Sequence, residues 1–243
     1  MAERCKASLV TILSPSQSTS VWRLIIVRLR ETVRVNDQRQ RFLDLVLRNT
    51  NNRAILDRAP ALGLLDWWLT AGAVFQTVWN VMDGREPATG IDDYDLFYFD
   101  AQDLSSEAQD VVIGRAAELF ADLDVVVEVC NEARVHLWYE EHFGVPAKAF
   151  DSSRDAIDHF ASTTCCYAVT RDSTGELDVY APHGYDDLFE QRLRPNPVLA
   201  PREVYERKAA RWSHEWPGLS VEPWPALEPR LLPHRSERVN RGS

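Results

Sequence analysis

Apolar residues change their period several times along this 243-residue chain, and each change marks an element. Arg41–Leu47 carries Phe42, Leu43 and Val46 at helical spacing, and Asn51–Leu64 repeats the pattern through Ile55, Leu56 and Leu62. The bulky run Trp67-Trp68-Leu69-Thr70-Ala71, bounded by Gly72, predicts a strand. Val74, Val78 and Met82 then predict a helix over Ala73–Met82 that closes at Asp83-Gly84. Arg85–Gly90, with Pro87, reads as loop, and Tyr94–Phe99 has the composition of a strand. Ser105 and Ser106 offer N-caps to an amphipathic helix running from Ala108 to Leu123. Asp124–Cys130 predicts the next strand, and Asn131–Phe143 a helix ending at Gly144. Cys165–Thr170 and Leu177–Tyr180 flank the turn residues Asp172-Ser173-Thr174-Gly175, which predicts a hairpin. Pro201–Trp212 predicts one more helix, with Pro201 suited to its first turn. Eight of the thirteen prolines lie in 195–243, so irregular structure is expected beyond Trp216-Pro217.

Charge divides the chain. Residues 1–41 hold eight Lys/Arg against three Asp/Glu, whereas residues 42–243 hold nineteen against thirty-four, within a formal net charge of −10. Residues 1–37 are therefore expected as a poorly ordered basic extension, which an organelle transit peptide would also resemble. Residues 38–225 are expected as the folded domain, and 226–243 as a flexible tail. An acidic body lacks the cationic face that non-specific nucleic-acid binding needs, so long nucleic acid is a disfavoured partner. A nucleotide arriving with a divalent ion is not excluded. No run of 18 apolar residues is present, so no membrane partner is expected. Cys5, Cys130, Cys165 and Cys166 show no metal or disulfide spacing, which suggests free thiols and a cytoplasmic location. His136 and His142 lie too far apart for a helical zinc pair. Trp67, Trp68, Trp79 and Trp138 are expected in the core.

The most informative segment is Gly90-Ile91-Asp92-Asp93-Tyr94-Asp95-Leu96-Phe97-Tyr98-Phe99-Asp100. Strand side chains alternate between faces, so Asp93 and Asp95 point the same way. Two adjacent carboxylates repel unless a cation lies between them, which makes the pair a candidate Mg²⁺ platform, with Mn²⁺ as a substitute. Residues 83–110 hold nine acids and only Arg85 as a base. Some twenty residues upstream, the small-residue turn Gly72-Ala73 sits between a predicted strand and a predicted helix, where backbone amides are free to meet a phosphate.

Strand, glycine turn, helix and Asp-x-Asp strand in this order resemble the DNA polymerase β nucleotidyltransferase superfamily. Four ordered blocks narrow the resemblance to its bacterial nucleotidyltransferase-like family, over roughly residues 40–225. They are Ala71-Gly72-Ala73-Val74-Phe75-Gln76-Thr77-Val78-Trp79-Asn80, Asp93–Asp100, Asn131-Glu132-Ala133-Arg134-Val135-His136-Leu137-Trp138-Tyr139, and Tyr180–Phe189 with Arg194-Pro195-Asn196-Pro197. The sequence departs from the pattern in three places. The turn is Gly-Ala rather than Gly-Gly or Gly-Ser, the gap from turn to Asp93 is long, and Glu132 stands where Gln is expected. The resemblance implies an α/β (α+β) polymerase β-like fold, a small mixed sheet flanked by helices. It also implies transfer of an NMP group from an NTP to an unknown acceptor, with pyrophosphate release.

In that scheme Asp93 and Asp95 hold the metal, and Gly72 and Ala73 admit the β- and γ-phosphates to their backbone amides. Glu128, whose neighbours Val127 and Val129 point the other way, is the candidate third carboxylate; Asp178 is the alternative. Arg134 is a triphosphate clamp or a surface ion pair, and Asn131 a nucleotide contact or a helix cap. A non-catalytic nucleotide-binding module on the same fold, or a nucleotide-sugar glycosyltransferase that also uses Asp-x-Asp, are the competing readings.

Overall fold

A computed structural model describes residues 15–226. Helix α1 spans Pro15–Val46, so residues 15–37 form the first part of a helix instead of a poorly ordered extension; residues 1–14 and 227–243 lie outside the described residues. After Pro15 this stretch contains neither proline nor glycine, so nothing in it breaks the helix that runs into the core. Val33 and Val35 are more than half exposed there, while Arg34 and Gln38 both bond to Asp186. The helix becomes buried only at Phe42, Leu43 and Val46.

Helix α2 covers Thr50–Arg58 and is capped by Asn49, whose side chain accepts from the N–H groups of Asn51 and Asn52. The predicted helix to Leu64 stops early because Pro60 lacks a donor; Ala59–Leu62 tightens to a 3₁₀ turn ended by left-handed Gly63. Strand β1 is Trp68–Thr70, α3 is Gly72–Met82, β2 is Asp93–Tyr98 and α4 is Ser106–Leu119. Strand β3 runs Val126–Asn131. The helix predicted to follow is broken at Trp138: Glu132–Leu137 is 3₁₀, and α5 is only Tyr139–Phe143, closed by Gly144. The remaining elements are α6 (Ser153–Asp158), β4 (Ala168–Arg171), β5 (Leu177–Tyr180), α7 (Asp186–Phe189), β6 (Arg192–Leu193), α8 (Arg202–Glu215) and β7 (Ser220–Val221). The β4–β5 hairpin is as predicted, with Asp172 accepting from the N–H groups of Thr174 and Glu176.

Five strands form one mixed sheet in the order β3-β2-β1-β4-β5, and only β2 and β3 are parallel. This is the α/β class expected. One face is mainly apolar: Leu69, Tyr94, Leu96, Val129 and Val169 pack with Phe42, Ile55, Leu56, Val74, Val78 and Trp79. On the other face Trp68, Phe97, Ala168 and Tyr180 are covered by Ile157 of α6 and by Phe160, while the β2–β3 end remains open. A buried polar network binds the α1–α2 corner to α3. Asn49 donates to Thr77 Oγ1 (3.0 Å) and the Tyr94 hydroxyl (3.1 Å), and Asn52 to the Ala73 carbonyl (2.7 Å). No described helix is long and apolar enough to cross a membrane.

Trp67, Trp68 and Trp79 are buried as expected, but Trp138 is 40% exposed, because the break in the helix leaves its ring outside, against Tyr139 and His142. Trp79→Ala should cost about 3–5 kcal/mol, since it empties a core site and removes the indole bond to the Leu188 carbonyl. Trp138→Ala should cost less than about 1 kcal/mol. Urea denaturation of both variants checks the contrast.

Candidate active site

The register of the sheet assembles the site. Thr70 of β1 pairs with Asp95 of β2, and Asp95 pairs in turn with Glu128 of β3. Paired residues share a face, so Asp95 and Glu128 stand side by side at about 5 Å, the spacing of neighbouring strands. Asp93 lies two residues back on the same face. The alternation is clean, with Tyr94, Leu96 and Tyr98 buried and Asp93, Asp95 and Phe97 turned outward. Because β1 ends at Thr70, opposite Asp95, the chain turns into α3 directly alongside Asp93. Ala71, Gly72, Asp93 and Asp95 line one cleft of about 350 Å³.

The turn itself is unusual. Ala71 has φ 54° and ψ −134°, a backbone state that favours glycine, so the strain falls one residue before Gly72. No side chain caps α3, and the N–H groups of Gly72 and Ala73 have no acceptor among the described residues. A methyl group at position 72 would lie 2.6 Å from the Gln76 amide nitrogen; glycine there lets that buried side chain fold back over the helix start. The carbonyl of Ala73 is held by both Asn52 and Thr77, at 2.7 Å each, which fixes the first turn.

Electrostatics mark Asp95 as the stressed group. Burial, followed by the charges of Asp93 and Glu128, pushes its carboxyl up to about 7; Lys208 opposes the shift. Glu132 is pushed up to about 8, chiefly by burial; the Cys130 thiol pulls the other way, and the charge of Asp95 adds to the rise. Burial favours the protonated form of Glu132, whose O–H and C=O present the donor and acceptor that a glutamine amide would. This reconciles the acid with the glutamine expected at that position. Its Oε1 is buried without a hydrogen-bond partner.

Other expected residues lie elsewhere. Asn131 is buried at the end of β3, where it accepts from the N–H groups of Asp100 and Ala133 and donates to the Asp100 carbonyl. Its side chain is thus committed to capping and to the 100-loop, which corrects the expected nucleotide contact. Arg134 donates from Nε to the Leu104 carbonyl (3.0 Å) and does not reach the cleft lining. Asp178 sits on β5, three strands and about 14 Å from Asp95. It lies 3.6 Å from Arg154 and 4.0 Å from Arg39, and is not brought to the cleft beside Asp93 and Asp95.

The C-terminal blocks prove architectural. Asn196 donates to the carbonyls of Asp158 and Phe160, the Arg194 carbonyl accepts from Ser162, and Asp187 pairs with Arg192 and Arg194. Together they pin the 158–165 segment that forms the cleft wall beside Phe160 and Ser162.

The spacing of residues in α8 does not by itself point to the nucleotide cleft. Val204, Lys208, Arg211 and Trp212, which recur on one face of that helix, close the cleft opposite the acids. Packing holds the helix there: Trp212 meets Phe75 edge-on at 5.0 Å, Trp216 meets Trp79 at 5.3 Å, and Arg85 pairs with Glu215. The long gap before Asp93 is also accounted for, since its loop is tied down by Asn80 bonding the carbonyls of Pro87 and Thr89. The cleft lining combines acids, an amide-bearing turn and cations with the aromatic rings of Phe97, Phe143 and Phe160.

The nucleotidyltransferase family profile matches residues 57–221, about two-thirds of the chain. The chain belongs to the nucleotidyltransferase family. Nucleotidyl transfer is the activity class this membership carries. The fold agrees: an NMR structure described as revealing a CCA-adding enzyme head domain superposes with a TM-score of 0.58 and 24% identity. That similarity covers 71% of this chain and 90% of the other. No curated protein matches the chain significantly.

Two predictions follow from the geometry. Asn131→Ala should destabilise the nucleotidyltransferase domain by about 2 kcal/mol by unpairing Asp100 and the cap, with nucleotide affinity of the folded protein unchanged; denaturation and binding isotherms together check this. The raised carboxyls of Asp95 and Glu132 retain protons in the folded state that the unfolded chain releases. Their contribution to stability is complete below about pH 4 and is lost as pH rises to about 8. Without divalent ions the melting temperature should therefore fall across that window. Glu132→Gln should flatten the upper part of the fall.

Proposed function

We propose that the protein transfers an NMP group from an NTP to an acceptor hydroxyl, with release of pyrophosphate, in a reaction that requires Mg²⁺ or Mn²⁺. The observation that carries this reading is that Asp93 and Asp95, which share a sheet face with Glu128, line the same cleft as the uncapped start of α3. The donor set fits a hard divalent cation: oxygen ligands only, with Asp95 pushed up by burial and then by its neighbours' charge. Among the described residues, no three His, Cys, Asp or Glu side chains converge to hold a metal unaided. That suits Mg²⁺, which completes its shell with substrate phosphates and water.

Asp93 and Asp95 would hold the ion against the phosphates, where it neutralises the charge that develops on them. The N–H groups of Gly72 and Ala73, at the positive end of α3, orient the phosphates from the other side. Phe97, Phe143 and Phe160 offer the base and ribose a surface away from water. Glu128 is exposed on the same face, outside the cleft lining, and would take the proton of an acceptor hydroxyl approaching from that side. The acceptor oxygen then bonds to the α-phosphorus as the α–β bridging bond breaks, and pyrophosphate carries off the electron pair. The acids attract no long nucleic acid, so the acceptor we favour is a small molecule or a protein hydroxyl. Free thiols at Cys130, Cys165 and Cys166 suit a cytoplasmic setting. Nothing in the sheet or the family membership supports the glycosyltransferase alternative.

The test uses α-labelled ATP, GTP, CTP and UTP with Mg²⁺ and a metabolite extract, reading label transfer and pyrophosphate. Asp93→Asn/Asp95→Asn should lower both by at least about a hundredfold while the circular dichroism spectrum is kept. Undiminished transfer by the folded double variant would sink the mechanism. Tight NTP binding by the unmodified protein with no turnover on any acceptor would favour the non-catalytic module.

A further inference from the structure

The cleft holds a charge arrangement that the carboxylates do not explain. Across from Asp92, Asp93 and Asp95, its Lys/Arg side chains are Lys208 and Arg211, and both come from α8. They flank the ring of buried Trp212, with Lys208 Nζ 5.7 Å and the Arg211 guanidinium 5.9 Å from its centroid. Trp212 is packed against Phe75 of α3, the helix whose first turn carries Gly72 and Ala73. The two cations and the free amides are thus mounted on elements that touch directly. Arg211 lies 3.3 Å from Asp92, an exposed pair at the mouth of the cleft, and Lys208 forms no ion pair among the described residues.

We propose that Lys208 and Arg211 form the subsite for the β- and γ-phosphates of the nucleoside triphosphate, and that Arg211 exchanges Asp92 for the γ-phosphate when the substrate enters. This rests on the function proposed above and adds to it the residues that distinguish a triphosphate from a monophosphate. A screened surface pair such as Arg211–Asp92 is cheap to break, and a guanidinium gains a bidentate partner in a phosphate. The position is also the complementary one. Asp93 and Asp95 would hold the ion at the phosphates and the α3 amides would meet the outer phosphates from one side, while Lys208 and Arg211 of the same cleft would meet them from α8. A purely structural role, with the cations only offsetting the repulsion among the acids, would show in stability and not in the choice between phosphate chain lengths.

Isothermal titration with Mg²⁺ should compare the four NTPs with the four NMPs on the full-length protein, on Lys208→Ala, on Arg211→Ala and on the double variant. The preference for triphosphate should fall about tenfold in each single variant and nearly vanish in the double, with NMP affinity unchanged. Lys208→Arg, which keeps the charge, should retain most of the preference. Melting curves of the variants confirm folding, and both side chains are exposed on α8. An unchanged triphosphate preference in the folded double variant overturns the subsite and leaves the proposed function standing. Failure of the unmodified protein to bind any NTP overturns both.

Discussion

Carboxylates set side by side on adjacent strands repel each other, and the backbone must be held from elsewhere for them to stay. Here the opposite face of β2 does the holding: Tyr94, Leu96 and Tyr98 are all buried, and the parallel register with β3 fixes Glu128 beside Asp95. Shifting that register by one residue would turn the acids into the core and the aromatics into the cleft, so burial of one face enforces the electrostatic strain on the other. The strain is visible in Asp95, whose carboxyl is pushed up by burial and by its neighbours' charge. The amides at the start of α3 and the cations of α8 surround this negative centre, and the whole is arranged for a ligand that brings both positive and negative charge.

Much of this was legible in the sequence where a single strand or turn carries the information. Alternation along Asp93–Phe99 shows which side chains share a face, and Val127 and Val129 place Glu128 opposite them without any knowledge of the sheet. The glycine turn is readable because strand and helix periods meet there. What could not be read depends on the course of the chain after an element ends. Asn131 and Arg134 lie next to Glu128 in sequence, but the chain leaves the sheet at Asn131, whose side chain is used to hold the Asp100 loop. Asp178 sits on a strand with suitable alternation, and only the strand order shows it to be at the far edge.

Helix α8 was the largest omission. Its pattern predicts a helix, but it carries many charged residues, and the face that meets the cleft is selected by Trp212 and Trp216 packing against α3. That contact joins residues more than a hundred positions apart, and no local spacing announces it. One-turn helices such as α6 and α7 escape for a different reason: they are too short to establish a period, and tertiary contacts hold them.

The left-handed conformation at Ala71 links the centre of the protein to its working surface. An alanine there stores about 1–2 kcal/mol that a glycine would not, and the buried bonds from Asn52 and Thr77 to the next turn keep it in place. The bend is thus a spring compressed by the interior. A lesion deep in the hydrophobic layer, far from any substrate, would first be felt as a relaxed bend and a misaimed pair of amides, with catalysis fading while most of the domain still reads as native.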